Sequence, residues 1–432
     1  MSYLRKIWPF TRQETSIAIE PQDLTTLWEQ SHGHLRPLRE HLPLPPDSLS
    51  SCLFCKMPQA IALSVQVCIG AGPQLTDAVV HYCPDCRRYY FDSTAQGNLS
   101  VKALNKPVTA IKARRWFAAP TFLNIEPTTH CNFRCWYCIG RTMPQVNMQL
   151  GDYTTIFENF PALQTIALVG EGEPLLHPDF FRMADMASDR GVRVMITSNG
   201  SRFTDDVIRC LCESAVTYVS ISIDSVDPKT FADSRPPGNL NEIWQGIERL
   251  RAYRDRHGYR YPVLGLKGTL FPHTVDQLPA IIDEACRRGM EIYEGFQPLN
   301  PMATYQSCYP EDKKALLASV GEVASKIASY GSATVGKLES ISQFCTREGI
   351  EFDKNGRPNG LRPGCDEQWI YALAGGDITP CCQIKLPISP TWNLFQCHLN
   401  DILEDPLYEN TRFNLWNGIF PLCCSGCYKV NL

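Results

Sequence analysis

From Thr121 to Phe296 short apolar runs alternate with longer amphipathic stretches. The apolar runs are Thr121–Glu126, Thr165–Val169, Arg193–Thr197, Tyr218–Ile223, Val263–Thr269 and Glu291–Phe296. Their length and their β-branched and aromatic residues predict buried strands. The intervening segments, Tyr153–Phe160, Asp179–Arg190, Thr204–Ser214, Leu240–His257 and Val275–Gly289, repeat apolar positions at helical spacing. Pro178 suits a helix N-terminus, and Gly191 and Gly289 suit left-handed C-terminal caps. Strands separated by helices predict an α/β fold with a parallel sheet and right-handed crossovers, curled or doubly wound. Reactive groups then belong at the carboxyl ends of the strands.

The unusual sequences fall at those ends. The first strand runs through Glu126-Pro127 into a loop holding Cys131, Cys135 and Cys138. The second enters Gly170-Glu171-Gly172-Glu173-Pro174, the third Ser198-Asn199-Gly200, and the fourth ends on Ser220, Ser222 and Asp224. A dinucleotide fingerprint is the rival reading of Gly170 and Gly172, but Leu175 stands where its third glycine would fall and no helix begins at once.

Composition narrows the class. Of 432 residues 44% are hydrophobic and 20% charged, ordinary for a chain that buries a sizeable core. Forty-one basic against 45 acidic residues, net −4, argue against a surface built throughout for nucleic acid. Met1–Arg12 shows no apolar signal region, and no apolar run reaches about 18 residues, so a cytoplasmic protein without a membrane span is expected. Twenty cysteines in a reducing compartment then point to metal rather than disulfides. Eleven form three groups: Cys52, Cys55, Cys83, Cys86; Cys131, Cys135, Cys138; and Cys365, Cys381, Cys424, Cys427. For most of the others a small buried hydrophobe is the simpler reading.

Cys131-x-x-x-Cys135-x-x-Cys138 supplies three thiolates, and a four-iron cluster needs one ligand per iron, so one iron stays open for chemistry. A zinc knuckle, or a cluster closed by a distant cysteine, is the competing reading. Placed after the first strand, the motif makes residues 118–300 resemble the radical S-adenosylmethionine (SAM) superfamily, whose core is a partial (β/α)6 barrel. That resemblance implies an enzyme of oxidoreductase type. Its 4Fe-4S cluster chelates SAM, cleaves it reductively and yields a 5′-deoxyadenosyl radical that abstracts a substrate hydrogen. It implies that Tyr137 lies near the adenine, that Gly172, Glu173 and Pro174 hold the SAM ammonium, and that Ser198, Asn199, Ser222 and Asp224 are ribose-binding strand ends. Lys267 is a candidate for the SAM carboxylate. Glu171 departs from the family pattern, which commonly has glycine there.

After a helical bridge over 301–360, residues 361–432 resemble the twitch domain, a short SPASM-like α+β extension. The resemblance implies one auxiliary 4Fe-4S cluster on Cys365, Cys381, Cys424 and Cys427, although spacing alone leaves Cys382 open as a rival to Cys381 and Cys423 to Cys424. In front of the core lie an N-terminal extension (1–50) and a zinc-ribbon-like module (51–95), where Cys52-x-x-Cys55 and Cys83-x-x-Cys86 suit Zn2+ better than iron. The run Arg87, Arg88, Tyr89, Tyr90, Phe91 is short for base stacking but raises that question. The expected partners are SAM, a peptide or small-molecule substrate, and an electron donor such as flavodoxin or ferredoxin. Oxidation, crosslinking or epimerisation of a ribosomal peptide or a sugar-like metabolite is the first reading, with Cys308 as a hydrogen donor if the outcome is epimerisation. An RNA-modifying enzyme recruited through the ribbon, and a non-catalytic iron–sulfur sensor, are the alternatives.

Overall fold

The computed structural model describes residues 22–25, 50–58, 60–70, 74–83, 85–91, 107–113, 120–350, 370–387, 389, 392–403, 405–416 and 418–427. Two compact units emerge. One comprises Met1–Ala119, Lys354–Gln368 and Gln383–Ser425; the other comprises Pro120–Asp353, Trp369–Cys382 and Gly426–Leu432. The C-terminal stretch expected over 361–432 is thus divided between them. Most of the N-terminal extension, and Cys365, lie outside the described residues.

The first unit holds an antiparallel sheet of β1 (Gln22–Asp23), β2 (Ile61–Ile69), β3 (Leu75–Cys83), β4 (Arg88–Phe91) and β5 (Val108–Ala113), in the order β1-β4-β3-β2-β5. Alternation sets its register: Leu63, Val65 and Val67 of β2 are buried, as are Val80 and Tyr82 of β3 and Ile111 of β5. A helix, Pro406–Trp416, packs on β2 and β5. β2 and β4 follow the first and second cysteine pairs in the chain. β3 and β5 are not marked by an apolar run, because Thr76, Asp77 and His81 interrupt the one and Thr109 and Lys112 the other.

In the second unit six parallel strands follow one another in chain order: β6 (Phe122–Ile125), β7 (Thr165–Leu168), β8 (Arg193–Ser198), β9 (Val216–Ser222), β10 (Val263–Leu270) and β11 (Ile292–Pro298). The helices between them are α1 (Leu150–Asn159), α2 (Phe180–Ser188), α3 (Asp205–Glu213), α4 (Pro228–Ser234), α5 (Leu240–His257) and α6 (Leu278–Arg287). All six expected strands and five expected helices are found; the short α4 was not foreseen. Every residue of β7 is buried, which is why the run Ile166–Leu168 is apolar and shows no alternation. Asn239 caps α5 through Oδ1 on the amides of Asn241 and Glu242, and Gly258 ends it at φ 72°. Gly191 and Gly289 take φ of 67° and 81°, the left-handed caps predicted for them.

Three short strands lengthen this sheet. β12 (Glu339–Ser340) pairs parallel to β11, β13 (Ile370–Ala372) pairs parallel to β6, and β14 (Ile378–Thr379) folds back on β13. Each of the six central strands contributes one residue to a shared core cluster: Phe122, Ala167, Met195, Tyr218, Val263 and Ile292. Phe344 and Cys345 of α7 (Ile341–Glu348) fill it from outside the sheet. Cys345 is therefore a packing residue, as expected for an ungrouped cysteine. No helix among the described residues is long and apolar enough to cross a membrane.

Candidate active site

The loop after β6 carries Cys131, Cys135 and Cys138, and backbone amides turn in toward its sulfurs. Phe133 N–H approaches Cys131 Sγ at 3.4 Å and Gly140 N–H approaches Cys138 Sγ at 3.3 Å. Such N–H···S contacts favour thiolate character, while burial pushes all three thiols up, Cys135 to about 11. Three cysteine sulfurs on one loop, two of them approached by backbone amides, are a donor set that fits a soft, thiolate-bound metal.

Contacts remote in sequence hold the loop. Arg134 N–H donates to Pro236 O at 2.6 Å. The Tyr137 hydroxyl donates to Asp224 Oδ2 at 2.6 Å, beneath the guanidinium of Arg235, which lies 5.6 Å from the ring centroid. Arg235 grips Asp224 with Nε at 2.6 Å and an Nη at 2.8 Å, and Thr269 N–H adds a fourth bond at 2.9 Å. The pair is buried, so its desolvation cost is offset only because those four donors occupy the carboxylate. Burial works to lower the Arg235 pKa, but Asp224 holds it well above its ordinary value. Arg235 went unnoticed in the sequence because nothing local marks it; Asp224 is eleven residues away.

Glu173 is the second hub. It caps the 3-10 turn Pro174–Leu176, accepting from Leu175 N–H at 3.2 Å, from Ser198 Oγ at 2.9 Å and from Asn199 N–H at 2.7 Å. Burial raises its pKa to about 7 against the pull of those donors. Gly172 is required by close approach: a Cβ there would lie 2.3 Å from Thr128 O and 2.8 Å from His130 O. Asn199 Nδ2 donates to Asn132 Oδ1 at 2.9 Å and reaches within 3.8 Å of Cys131 Sγ. Three strand ends, those of β6, β7 and β8, are thereby tied into one hydrogen-bonded rim.

Other predicted residues sit in different company. Ser222 ends β9, half-buried. Lys267 is ion-paired with Glu294 at 2.6 Å, and the Tyr218 hydroxyl binds the other oxygen of Glu294 at 2.8 Å. Burial raises the pKa of Glu294, but Lys267 outweighs it and holds the carboxyl below its usual range. Cys308 is buried, its thiol donating to Tyr305 O at 3.0 Å, while Arg141 donates to the Cys308 carbonyl at 2.6 Å.

In the first unit the sulfurs of Cys52, Cys55, Cys83 and Cys86 all lie within 4.8 Å of one another, among the described residues the one such group. Cys52–Cys86 and Cys55–Cys83 measure 3.7 and 3.5 Å, close to the edge of about 3.8 Å that a tetrahedron with 2.3 Å metal–sulfur arms requires. Burial pushes the Cys52 thiol up, yet the amides of Cys55 and Phe54 bring it down to about 7. Lys56 and Arg87, each just after the second cysteine of its knuckle, take φ of 63° and 55°, a turn that glycine would adopt without strain. Tyr89, Tyr90 and Phe91 are buried in the sheet, Tyr90 stacked on His81, so the run considered for base stacking presents no aromatic face. Of the C-terminal cysteines, Cys381 and Cys427 belong to the second unit and Cys424 to the first, while Cys365 lies outside the described residues.

The profile of the radical SAM superfamily matches residues 125–268, the span from the end of β6 into β10. The AdoMet-dependent heme synthase of Methanosarcina barkeri is 33% identical over 277 residues, 61% of this chain and 77% of that protein. The tungsten-containing aldehyde ferredoxin oxidoreductase cofactor-modifying protein of Pyrococcus furiosus is 28% identical, over 70% of this chain and 86% of its own length. In three dimensions Streptococcus suis SuiB, solved bound to S-adenosylmethionine, aligns with a TM-score of 0.53 at 17% identity, over 69% of this chain and 68% of SuiB. The chain belongs to the radical SAM superfamily. A 4Fe-4S cluster and S-adenosylmethionine come with that membership.

Proposed function

We propose that this protein reductively cleaves SAM and abstracts a hydrogen atom from a polar substrate, a peptide or a small metabolite such as a sugar, so as to oxidise, crosslink or epimerise it. The observation that carries this reading is the joined rim. One buried carboxylate, Glu173, binds both Ser198 and Asn199, and Asn199 in turn reaches Cys131. Cys131, Cys135 and Cys138 hold the cluster and leave one iron without a protein ligand. When bound, the cluster supplies the electron that breaks the sulfur–C5′ bond of SAM, releasing methionine and a 5′-deoxyadenosyl radical.

The chain's own residues position that reaction. Gly172, Glu173 and Pro174 form the edge for the SAM ammonium. Tyr137, fixed by Asp224 and Arg235, flanks the adenine, and Ser198, Asn199 and Ser222 edge the ribose. Asp224 acts through its hold on the loop. For Lys267 to serve the SAM carboxylate it must leave Glu294. Glu173, Ser198, Asn199 and Ser222, each at or just past the carboxyl end of a parallel strand, support this arrangement. The heme synthase and the cofactor-modifying protein among the relatives support a substrate outside nucleic acid.

Two further metal sites belong to this reading. Cys52, Cys55, Cys83 and Cys86 hold one zinc ion that stabilises their module, a role supported by their sulfur spacing. Cys365, Cys381, Cys424 and Cys427 hold an auxiliary cluster that accepts the electron left on the substrate radical; the resemblance of residues 361–432 to the twitch domain supports this. A flavodoxin or ferredoxin supplies the first electron. The experiment is anaerobic reduction of the reconstituted protein with SAM. 5′-Deoxyadenosine is expected above background, with about eight irons and one zinc per chain. Its absence from a protein that holds iron at the three-cysteine site refutes the enzymatic reading.

A further inference from the structure

Glu171, between the two glycines that follow β7, meets the cysteine loop. Its Oε2 lies 3.2 Å from Cys138 Sγ, and its Oε1 accepts a hydrogen bond from the Tyr305 hydroxyl at 3.1 Å. The approach is built into the backbone. A Cβ on Gly140 would come within 2.8 Å of the Glu171 carbonyl oxygen, 2.9 Å of the Glu171 Cβ and 3.2 Å of Cys138 Sγ. Only glycine at 140 lets residue 171 sit against that sulfur. Tyr305, in the short helix Ala303–Gln306, is buried and holds the carboxylate from the other side.

Charges are distributed unevenly around the three cysteines. Arg235 acts on Cys131 and Cys135, but its charge is matched by Asp224. Beside Cys138 the carboxylate of Glu171 is in contact with the sulfur itself. Arg141, close by, directs its guanidinium onto the carbonyls of Trp136 and Cys308 at 2.7 and 2.6 Å.

We propose that Glu171 sets the reduction potential of the cluster held by Cys131, Cys135 and Cys138. This rests on the cluster assignment made above. An added electron spreads over the irons and their sulfur ligands, and a fixed negative charge against one ligand sulfur opposes it in a poorly screened site. The couple is thereby held more negative than a neutral side chain at 171 would allow. A strongly reducing centre is what one-electron cleavage of a sulfonium requires, so the charge serves the reaction through the cluster. Glu171 is a positioning residue of electrostatic kind, not a ligand.

The test uses full-length protein, reconstituted anaerobically and assayed for iron and sulfide. It is then titrated redox-potentiometrically while the EPR signal that responds to added SAM is followed, a response that only a cluster with an open iron gives. Glu171→Gln keeps the size of the side chain and an acceptor for Tyr305. It should shift the reduction equilibrium at least tenfold toward the reduced form, about 59 mV positive for a one-electron couple. Tyr305→Phe removes the donor that disperses the carboxylate charge and should shift the midpoint negative. A midpoint in Glu171→Gln equal to or below that of the unaltered protein overturns the proposal. If Glu171→Gln fails to retain iron, the Tyr305→Phe midpoint decides: a negative shift supports the proposal and an unchanged one overturns it. A SAM-responsive signal missing from the unaltered protein would remove the cluster assignment itself, a result distinct from either.

Discussion

Cys52, Cys55, Cys83 and Cys86 bring four sulfurs within 4.8 Å of one another inside one small sheet. Cys131, Cys135 and Cys138 are spread along a loop anchored by Pro236, Asp224 and Asn199, residues far off in the chain. The first set is closed in both senses, four donors for one ion and a geometry made by two local turns. The second is open, with three donors and a geometry made by the ends of several strands. Four thiolates satisfy a metal and leave it inert; three leave a position for chemistry. A loop that must present that position accurately is better held by rigid strand ends than by its own turns.

The sharpest way to break the comparison is to remove one sulfur from each set. Cys138→Ala should reduce 5′-deoxyadenosine to the level of an enzyme-free mixture. Cys55→Ala should leave SAM cleavage measurable in whatever fraction stays folded. If both variants behave alike in the product assay, the division into a reactive and a structural site is wrong.

Next in size is removal of the zinc ion proposed for Cys52, Cys55, Cys83 and Cys86. Structural zinc contributes roughly 10 kcal/mol or more to small modules, so chelation should unfold β2–β4. Hydrogen exchange should show protection lost in residues 61–91 and retained in β6–β11. Protection that survives chelation in residues 61–91 would mean that the sheet does not depend on metal.

Arg235→Met probes the open site's dependence on remote anchors. It leaves Asp224 buried without its partner, at a cost of about 3–5 kcal/mol. Thermal unfolding should record that loss, and iron retention by the cysteine loop should fall with it. Arg235→Lys keeps the charge but not the paired bonds and should lie between.

A smaller effect concerns pH. Burial raises the Glu173 pKa to about 7 in the folded protein. A carboxyl that binds its proton more tightly when folded favours the folded state at low pH, and loses that contribution as pH rises from about 4.5 to about 7. In metal-free protein the stability of the second unit should decline over that window, and the decline attributable to this site should vanish in Glu173→Gln. The smallest effect is expected at Lys56→Gly. Relief of its left-handed backbone should stabilise the ribbon module slightly, by under about 1 kcal/mol after the entropy cost of glycine, read as a small rise in melting temperature.

Much of this site was legible from residue order. The strands β6–β11 announce themselves as short apolar runs, and the helical spacing over Leu240–His257 matches α5 to the residue. Gly172, Glu173, Ser198 and Asn199 could be singled out because each lies at or shortly after the end of a strand. Arg235, Tyr305 and Asn132 could not. Each matters through a partner from another strand end or a later helix, and no local pattern distinguishes such a residue from any other polar one. Glu171 was visible only as a departure from a family pattern; its contact with Cys138 needed coordinates. The run Arg87–Phe91 shows the opposite failure, since composition suggested an exposed aromatic face and the sheet buries it.

Order along the chain by itself determined the parallel α/β core, the three cysteine groups and the place of the reactive loop. Periodicity and strand-end position are local properties, and hydrophobic burial enforces them wherever they occur. Tertiary structure alone decided which charges surround that loop: Arg235 matched by Asp224 on one side, Glu171 held by Tyr305 against Cys138 on the other. Electrostatic effect depends on distance in space and on burial, and neither is written in the spacing of residues along the chain.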